Sequence, residues 1–325
     1  MRKHFLKYLI DPVTGEDLKL ESTQEKNGHV TEGFLVSTSN RYPIVRGIPR
    51  FAGFKDDKNY THSFGYQWNK WSKIQFDSKN IGKPMEGHTL KMWDRITHIT
   101  APDLQRSVIV DFGCGSGRLI ETIRQKNGIA IGFDLSDAVE AAGEIFSQDE
   151  NALICQADIL HSPIRPSSVD GVFSIGVLHH TKDAKIGFDE MVKCLKSGGW
   201  IAVSLYSPGG YYDSFFVNIY RKIFKTLWPI FGHYPPLIYS YTTIYLLRPI
   251  LRIPILRTLV RPFFSFFPFI DIPDTQWSVL NTFDSVTPSN QYAFSTYQVF
   301  QWFKSAGLRE IEPSNWAGAS INAKK

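Results

Sequence analysis

Short apolar runs punctuated by glycine fill the middle of this chain, and longer amphipathic stretches separate them. Residues 108–112, 129–134, 152–155, 170–178 and 195–206 are each too short and too continuously apolar to be surface helices, and they predict buried strands. Helix-like segments lie between them, the alternation expected of a parallel sheet covered by helices. A helix predicted over about residues 86–99 leads into the first of these strands. After residue 291, Val299, Phe300, Trp302 and Phe303 mark the buried face of a further helix, with Gly307 as its C-cap. Residues 309–313 and 317–322 predict two last strands.

The chemistry begins at the end of the first strand. Val108-Ile-Val-Asp-Phe-Gly-Cys-Gly-Ser-Gly-Arg118 reads as a strand, a glycine-rich turn and the opening of a helix. Its glycines, Gly113, Gly115 and Gly117, let backbone approach a ligand closely. A dinucleotide fingerprint would need its third glycine at 118, where Arg118 stands, so a pyrophosphate ligand is disfavoured. The second strand ends in Asp134, where an α/β nucleotide fold hydrogen-bonds ribose hydroxyls. The third leads to Gln156-Ala157-Asp158, and the fourth to His179-His180.

That order and spacing resemble the class I S-adenosylmethionine-dependent methyltransferases over roughly residues 85–206 and 293–323. The resemblance implies an α/β, Rossmann-like sheet of seven strands with helices on both faces, the last two strands forming an antiparallel hairpin. It implies S-adenosyl-L-methionine as cofactor. Gly113, Gly115 and Gly117 would pass beside its methionine part and adenosine, and Asp111 would lie near its ammonium. Asp134, with Leu135 beside it, would accept both ribose hydroxyls, and Ala157 and Asp158 would sit at the adenine. A helix N-cap is the structural alternative for Asp134, a purely structural role that for Asp158, and Asp170, opening the fourth strand, reads as structural. His179 and His180 fall at the carboxyl edge of the sheet, where one could act as general base or both could shape the cofactor wall. Tyr206, after the fifth strand, is the other candidate to touch the methyl acceptor.

Five regions follow. Residues 1–52 resemble a small zinc-ribbon-like domain, but Asp11-Pro-Val-Thr14 replaces the family's C-P-x-C turn and no cysteine precedes Cys114. Zinc needs a full set of thiolate or imidazole ligands, so no metal is expected and a two- or three-stranded docking ribbon remains. Residues 53–84 form a linker with an aromatic cluster, Phe64, Tyr66, Trp68 and Trp71, suited to an interdomain seam or to contact with cofactor or substrate. Residues 85–206 and 292–325 form the two parts of the core. Residues 207–291 are a helical insertion after strand five.

The insertion is unusual in composition. No acidic residue occurs between Asp213 and Asp271, whereas Arg221, Lys222, Lys225, Arg248, Arg252, Arg257 and Arg261 do. Aromatic residues crowd it, ending in Phe263, Phe264, Phe266, Phe267 and Phe269, and prolines cut it into short helices. It reads as a lid over an apolar acceptor pocket, as a peripheral membrane contact through 211–270, or as a plain helical cap.

The whole-chain balance of +5 over 325 residues is mild and does not by itself call for nucleic acid. Cys114, Cys155 and Cys194 lack C-x-x-C spacing and suit small core residues of a reduced compartment. The basic N-terminus meets Asp11 and Pro12 before any signal-peptide core develops, and no apolar run is long enough to span a bilayer. A cytoplasmic location, with membrane contact through the insertion as a variant of it, is the expectation. The function expected is methyl transfer to a small, apolar or amphipathic molecule. The alternatives are a tRNA-modifying enzyme, since Ser174-Ile-Gly-Val-Leu-His-His180 resembles a stretch of wobble-uridine methyltransferases, and a non-catalytic cofactor-binding scaffold.

Overall fold

Seven strands form the central sheet of the computed structural model, which describes residues 1–52, 60–99, 104–255, 258 and 266–325. Arg257, Arg261, Phe263 and Phe264 lie outside the described residues. The strands are β5 (Val108–Phe112), β6 (Ile129–Asp134), β7 (Ala152–Gln156), β8 (Val169–Ile175), β9 (Leu195–Leu205), β10 (Arg309–Pro313) and β11 (Ala319–Lys324). They lie in the order β10-β11-β9-β8-β5-β6-β7. The five from β5 to β9 are parallel, β11 runs antiparallel to β9, and β10 closes the hairpin against β11. The order reverses between β5 and β8, which opens a crevice at their carboxyl ends.

The period of two along each strand sorts side chains into two cores. Val110, Phe112, Ile131, Phe133, Val172 and Val203 join one with the N-terminal ribbon. Ile109, Ala130, Ile154, Phe173 and Ala202 join the other, beneath Trp93, Leu119 and Ile123. The covering helices are α2 (His88–Thr97), α3 (Arg118–Gln125), α4 (Ala138–Phe146), α5 (Ala184–Cys194) and α9 (Thr296–Ser305), preceded by α1 (His62–Lys70). Ser295 caps α9 in a full capping box with Gln298. All three cysteines are buried and free.

The N-terminal unit holds four strands rather than two or three: β1 (Lys19–Lys26), β2 (His29–Val36), β3 (Arg41–Val45) and β4 (Ile48–Pro49), an antiparallel sheet in sequence order. Asp11, fully buried, knits its two turns together. Its carboxylate accepts from Val13 N–H at 2.8 Å, Tyr42 hydroxyl at 2.7 Å, Ser37 hydroxyl at 2.5 Å and Asn40 amide at 2.9 Å. Burial would raise its pKa, but the bonds from Ser37, Tyr42 and Asn40 outweigh that and hold it well below the usual carboxylate range. Among the described residues no group of three His, Cys, Asp or Glu side chains is placed to hold a metal. The ribbon also covers the open edge of β7: Phe51 N–H donates to Gln156 carbonyl at 2.8 Å, and the Arg50 guanidinium meets Glu140 of α4 at 2.8 Å.

The insertion folds into α6 (Phe215–Phe231), α7 (Tyr234–Thr242) and α8 (Thr275–Val286). Helix α8 starts at Asp274, whose side chain accepts from Trp277 N–H. It packs Val279, Leu280 and Phe283 against Trp71 and Tyr66, so part of the aromatic cluster is a seam. Among the described residues no helix is long and apolar enough to cross a membrane.

Candidate active site

A cavity of about 560 Å³ lies over the crevice, within the ~300–1,000 Å³ of small-molecule pockets. Its floor is the turn after β5. Gly113, Gly115 and Gly117 all have positive φ, and each is tight: a Cβ would stand 2.4 Å from Val177 at the first, 3.1 Å from the Trp68 indole at the second and 2.5 Å from Phe146 at the third. The loop is thus glycine for shape as well as for ligand approach.

Asp134, at the end of β6, locks this turn. Its Oδ2 accepts from Gly115 N–H at 3.0 Å, and its Oδ1 from Ser136 N–H at 2.8 Å and Ser136 hydroxyl at 2.6 Å. Asp134 is not the N-cap of α4, a position Asp137 takes; its carboxylate anchors the turn instead and still faces the cavity. Burial raises its pKa, and the bonds from Ser136 and Gly115 oppose the rise. Burial likewise pushes the Asp111 carboxyl well up, against the pull of Arg118. Asp158 spends one oxygen on Leu160 N–H at 2.9 Å and also lines the cavity.

The sequence candidates divide by position. Asp111, Gly113, Gly115, Asp134, Leu135, Asp158, His180 and Tyr206 line the cavity. Gly117, Ala157 and His179 do not. Gly117 sits beneath Phe146 as the N-terminal cap of α3, and Ala157 is buried with its N–H on the Asp134 carbonyl. His179 is wholly buried, its ring 3.8 Å from that of Tyr206, and neither ring nitrogen has a hydrogen-bond partner. Burial holds its pKa well below the ordinary value, so it is a neutral wall.

His180 is better placed. Its Nδ1–H donates to the Asn290 carbonyl at 2.9 Å, which leaves Nε2 with the lone pair. Burial lowers its pKa to about 4. Tyr206 stacks on Tyr212 with ring centres 4.1 Å apart.

Several cavity residues went unrecognised in the sequence. Gln67 comes from α1, whose Phe64 and Trp68, offered by the sequence as seam or contact residues, also line the cavity, and Arg118, noted there only for not being glycine, donates to Gln75 Oε1 at 2.5 Å. Trp277, Leu280, Asn281 and Asp284 descend from α8. Asp284 accepts from Gln67 Nε2 at 2.8 Å; burial raises its pKa while Gln67, Arg221 and Arg118 hold the rise back. The insertion's cavity-facing residues come from its two ends, Gly210–Tyr212 and Ile270–Asp284.

Residues 110–203 match the family model described as a methyltransferase domain. That match runs from β5 into β9, less than half of the chain. The sheet order, with its antiparallel β10–β11 hairpin, agrees with the resemblance read from the sequence. The methyltransferase cofactor is S-adenosyl-L-methionine, and the cavity lining fits it: Asp134, whose Oδ2 carries a single protein donor, stands beside the backbone of Gly113 and Gly115.

Probable tRNA methyltransferase 9B of Homo sapiens is 29% identical over 36% of this chain and 25% of its own length. A malonyl-[acyl-carrier protein] O-methyltransferase of Hamiltonella defensa is 31% identical over 33% of this chain and 41% of its own. The chain thus matches about a quarter of the first of these relatives. A solved S-adenosylmethionine-dependent methyltransferase from Aquifex aeolicus is 11% identical, covers 72% of this chain and 87% of its own, and superposes with a TM-score of 0.41, too loose to add to the sheet order.

Proposed function

We propose that this protein transfers a methyl group from S-adenosylmethionine to a small apolar or amphipathic acceptor enclosed beneath the insertion. The observation that carries this reading is the lining: Trp277, Leu280 and Asp284 of α8 and Tyr212 share one cavity with the glycine turn. Apolar and aromatic side chains of this kind suit a small acceptor better than a phosphate backbone. The bound cofactor supplies an electrophilic methyl group, and the remaining work is positioning, with on the order of 7–11 kcal/mol available from it in favourable cases.

Asp134, Asp158 and the backbone of the glycine turn would hold the cofactor. Phe64, Tyr206 and Trp277 would exclude water and align the acceptor. Two groups can take its proton. His180 is neutral with Nε2 free, and Asp284 has an oxygen not used by Gln67. A carboxylate whose pKa is raised by burial suits this task, because it is a stronger base than an exposed one.

The relatives named as tRNA methyltransferases support a second reading, in which the acceptor is tRNA. Both are tested by incubating the protein with labelled S-adenosylmethionine and either tRNA or an organic extract of cellular small molecules. Label in the extractable fraction, lost on Asp284→Asn while cofactor affinity stays within a few-fold, is the expected result. Label in tRNA, with binding that weakens steeply as salt rises, would replace the small-molecule reading by the second.

A further inference from the structure

Most of the large apolar side chains exposed among the described residues lie between Tyr211 and Phe267. They are organised. On α6, Phe215, Lys222, Ile223 and Ile230 fall at i, i+7, i+8 and i+15, one side of a helix, while Val217, Arg221 and Phe224 face inward. Phe215 is 72% exposed and Ile230 75%. Helix α7 repeats the arrangement with Tyr234 and Ile238 one turn apart, 72% and 63% exposed.

The cations sort the same way. Arg221 is buried and donates to the Ser285 and Tyr212 carbonyls, and Arg248 is buried against Asp271 at 2.6 Å. Lys222, Lys225 and Arg252 are exposed, Lys225 also reaching the Ser289 carbonyl at 3.4 Å, and the stretch from 214 to 270 holds no carboxylate to neutralise them.

We infer that the outer face of α6 and α7 is a docking surface for an anionic lipid bilayer. Apolar side chains interleaved with unneutralised lysine and arginine match the acyl and phosphate layers of such a surface. A second copy of the chain fits less well, since a two-fold interface would set the cations of one face against those of its twin. This inference does not depend on what the acceptor is: α8 lines the cavity, whereas no residue of α6 or α7 does.

The full chain is tested by co-sedimentation with vesicles of phosphatidylcholine, with and without phosphatidylglycerol. Binding to the phosphatidylglycerol vesicles is expected at low salt, with release as salt rises. Lys222→Gln with Lys225→Gln should weaken that binding about thirty-fold, taking about 1 kcal/mol per lysine at the surface. Ile230→Ser with Tyr234→Ser should weaken it with either lipid. Circular dichroism checks that both variants remain folded, which their exposure favours. No binding of the wild-type chain at low salt overturns the inference. So does binding that neither double variant alters, or a wild-type dimer that Ile230→Ser with Tyr234→Ser dissolves in the absence of vesicle binding.

Discussion

Replacing Asp134 with alanine removes an acceptor that protein donors already use heavily. Ser136 supplies two hydrogen bonds to Oδ1 and Gly115 one to Oδ2. A carboxylate has about four lone-pair sites, so roughly one, on Oδ2, is left for a ribose hydroxyl. A hydrogen bond to a charged group contributes about 1.5–3 kcal/mol, and losing it should cost roughly tenfold to 150-fold in affinity for S-adenosylmethionine. The substitution also strands the Gly115 and Ser136 N–H groups, at about 1–3 kcal/mol each if they stay buried and dry. Stability should therefore fall together with affinity. Ser136→Ala separates the two effects, because it removes a donor to Oδ1 and leaves Oδ2 as it is. It should lower stability and keep affinity within a few-fold. Calorimetric titration with S-adenosylhomocysteine, beside thermal unfolding, measures both. Affinity should also decline as pH falls toward the raised pKa of Asp134, since the hydroxyl is bound by the ionised form. Unchanged affinity in folded Asp134→Ala, or an equal loss in Ser136→Ala, would refute the ribose assignment.

Two further outcomes are expected. Asp11→Ala should destabilise the chain by about 2–4 kcal/mol, because it strands the buried hydroxyl of Tyr42 and the half-buried donors of Ser37 and Asn40. The Asp11 pKa lies below its unfolded value, so its contribution is present above about pH 4 and lost only below, and urea unfolding should show the same penalty at pH 5 and pH 8. For His180, burial depresses the pKa to about 4. The unfolded chain binds a proton below about pH 6.5 that the folded chain does not, so stability is intact above that value and falls by about 2 kcal/mol by pH 5. His180→Gln should lose less stability between pH 7 and pH 5 in thermal unfolding, and an identical slope would show that the ring is not shielded as described.

The sheet was legible because its strands are buried on both faces and therefore read as short apolar runs. The glycine turn was legible for a related reason. It takes φ > 0 at Gly113, Gly115 and Gly117, and a Cβ at each would press on Val177, Trp68 or Phe146, so the sequence carries it as glycine. The four-stranded ribbon was harder to count. Its β4 has two residues, too few for any periodicity, and it is held by pairing with β3 and by the edge of β7. The pair of histidines could not be resolved by spacing. Adjacent residues in a 3-10 turn point in different directions, and the turn sends His180 to the cavity and His179 into the core.

The acceptor end of the cavity was the least legible part, and the reason is local. Methyl transfer demands little fixed chemistry of its acceptor side, so no motif marks it. Asp284 stands 150 positions after Asp134, on a helix whose other charged neighbours are absent. Yet Thr275–Val286 does carry a signal: it buries Trp277, Leu280, Phe283 and Val286, and among them sets one carboxylate. An aspartate on a helix that is otherwise apolar, small or neutral is costly unless something outside the helix uses it. Gln67 uses one oxygen, and the other remains for whatever the cavity holds. The same reasoning separates the insertion's cations. Arg221 and Arg248 are buried, meet carbonyls or a carboxylate and belong to the packing, whereas Lys222, Lys225 and Arg252 are exposed, Lys225 with one carbonyl contact to Ser289. One segment therefore presents a carboxylate to an enclosed space and cations to the exterior. That division suits a lid that roofs an apolar acceptor on one side and meets an anionic surface on the other.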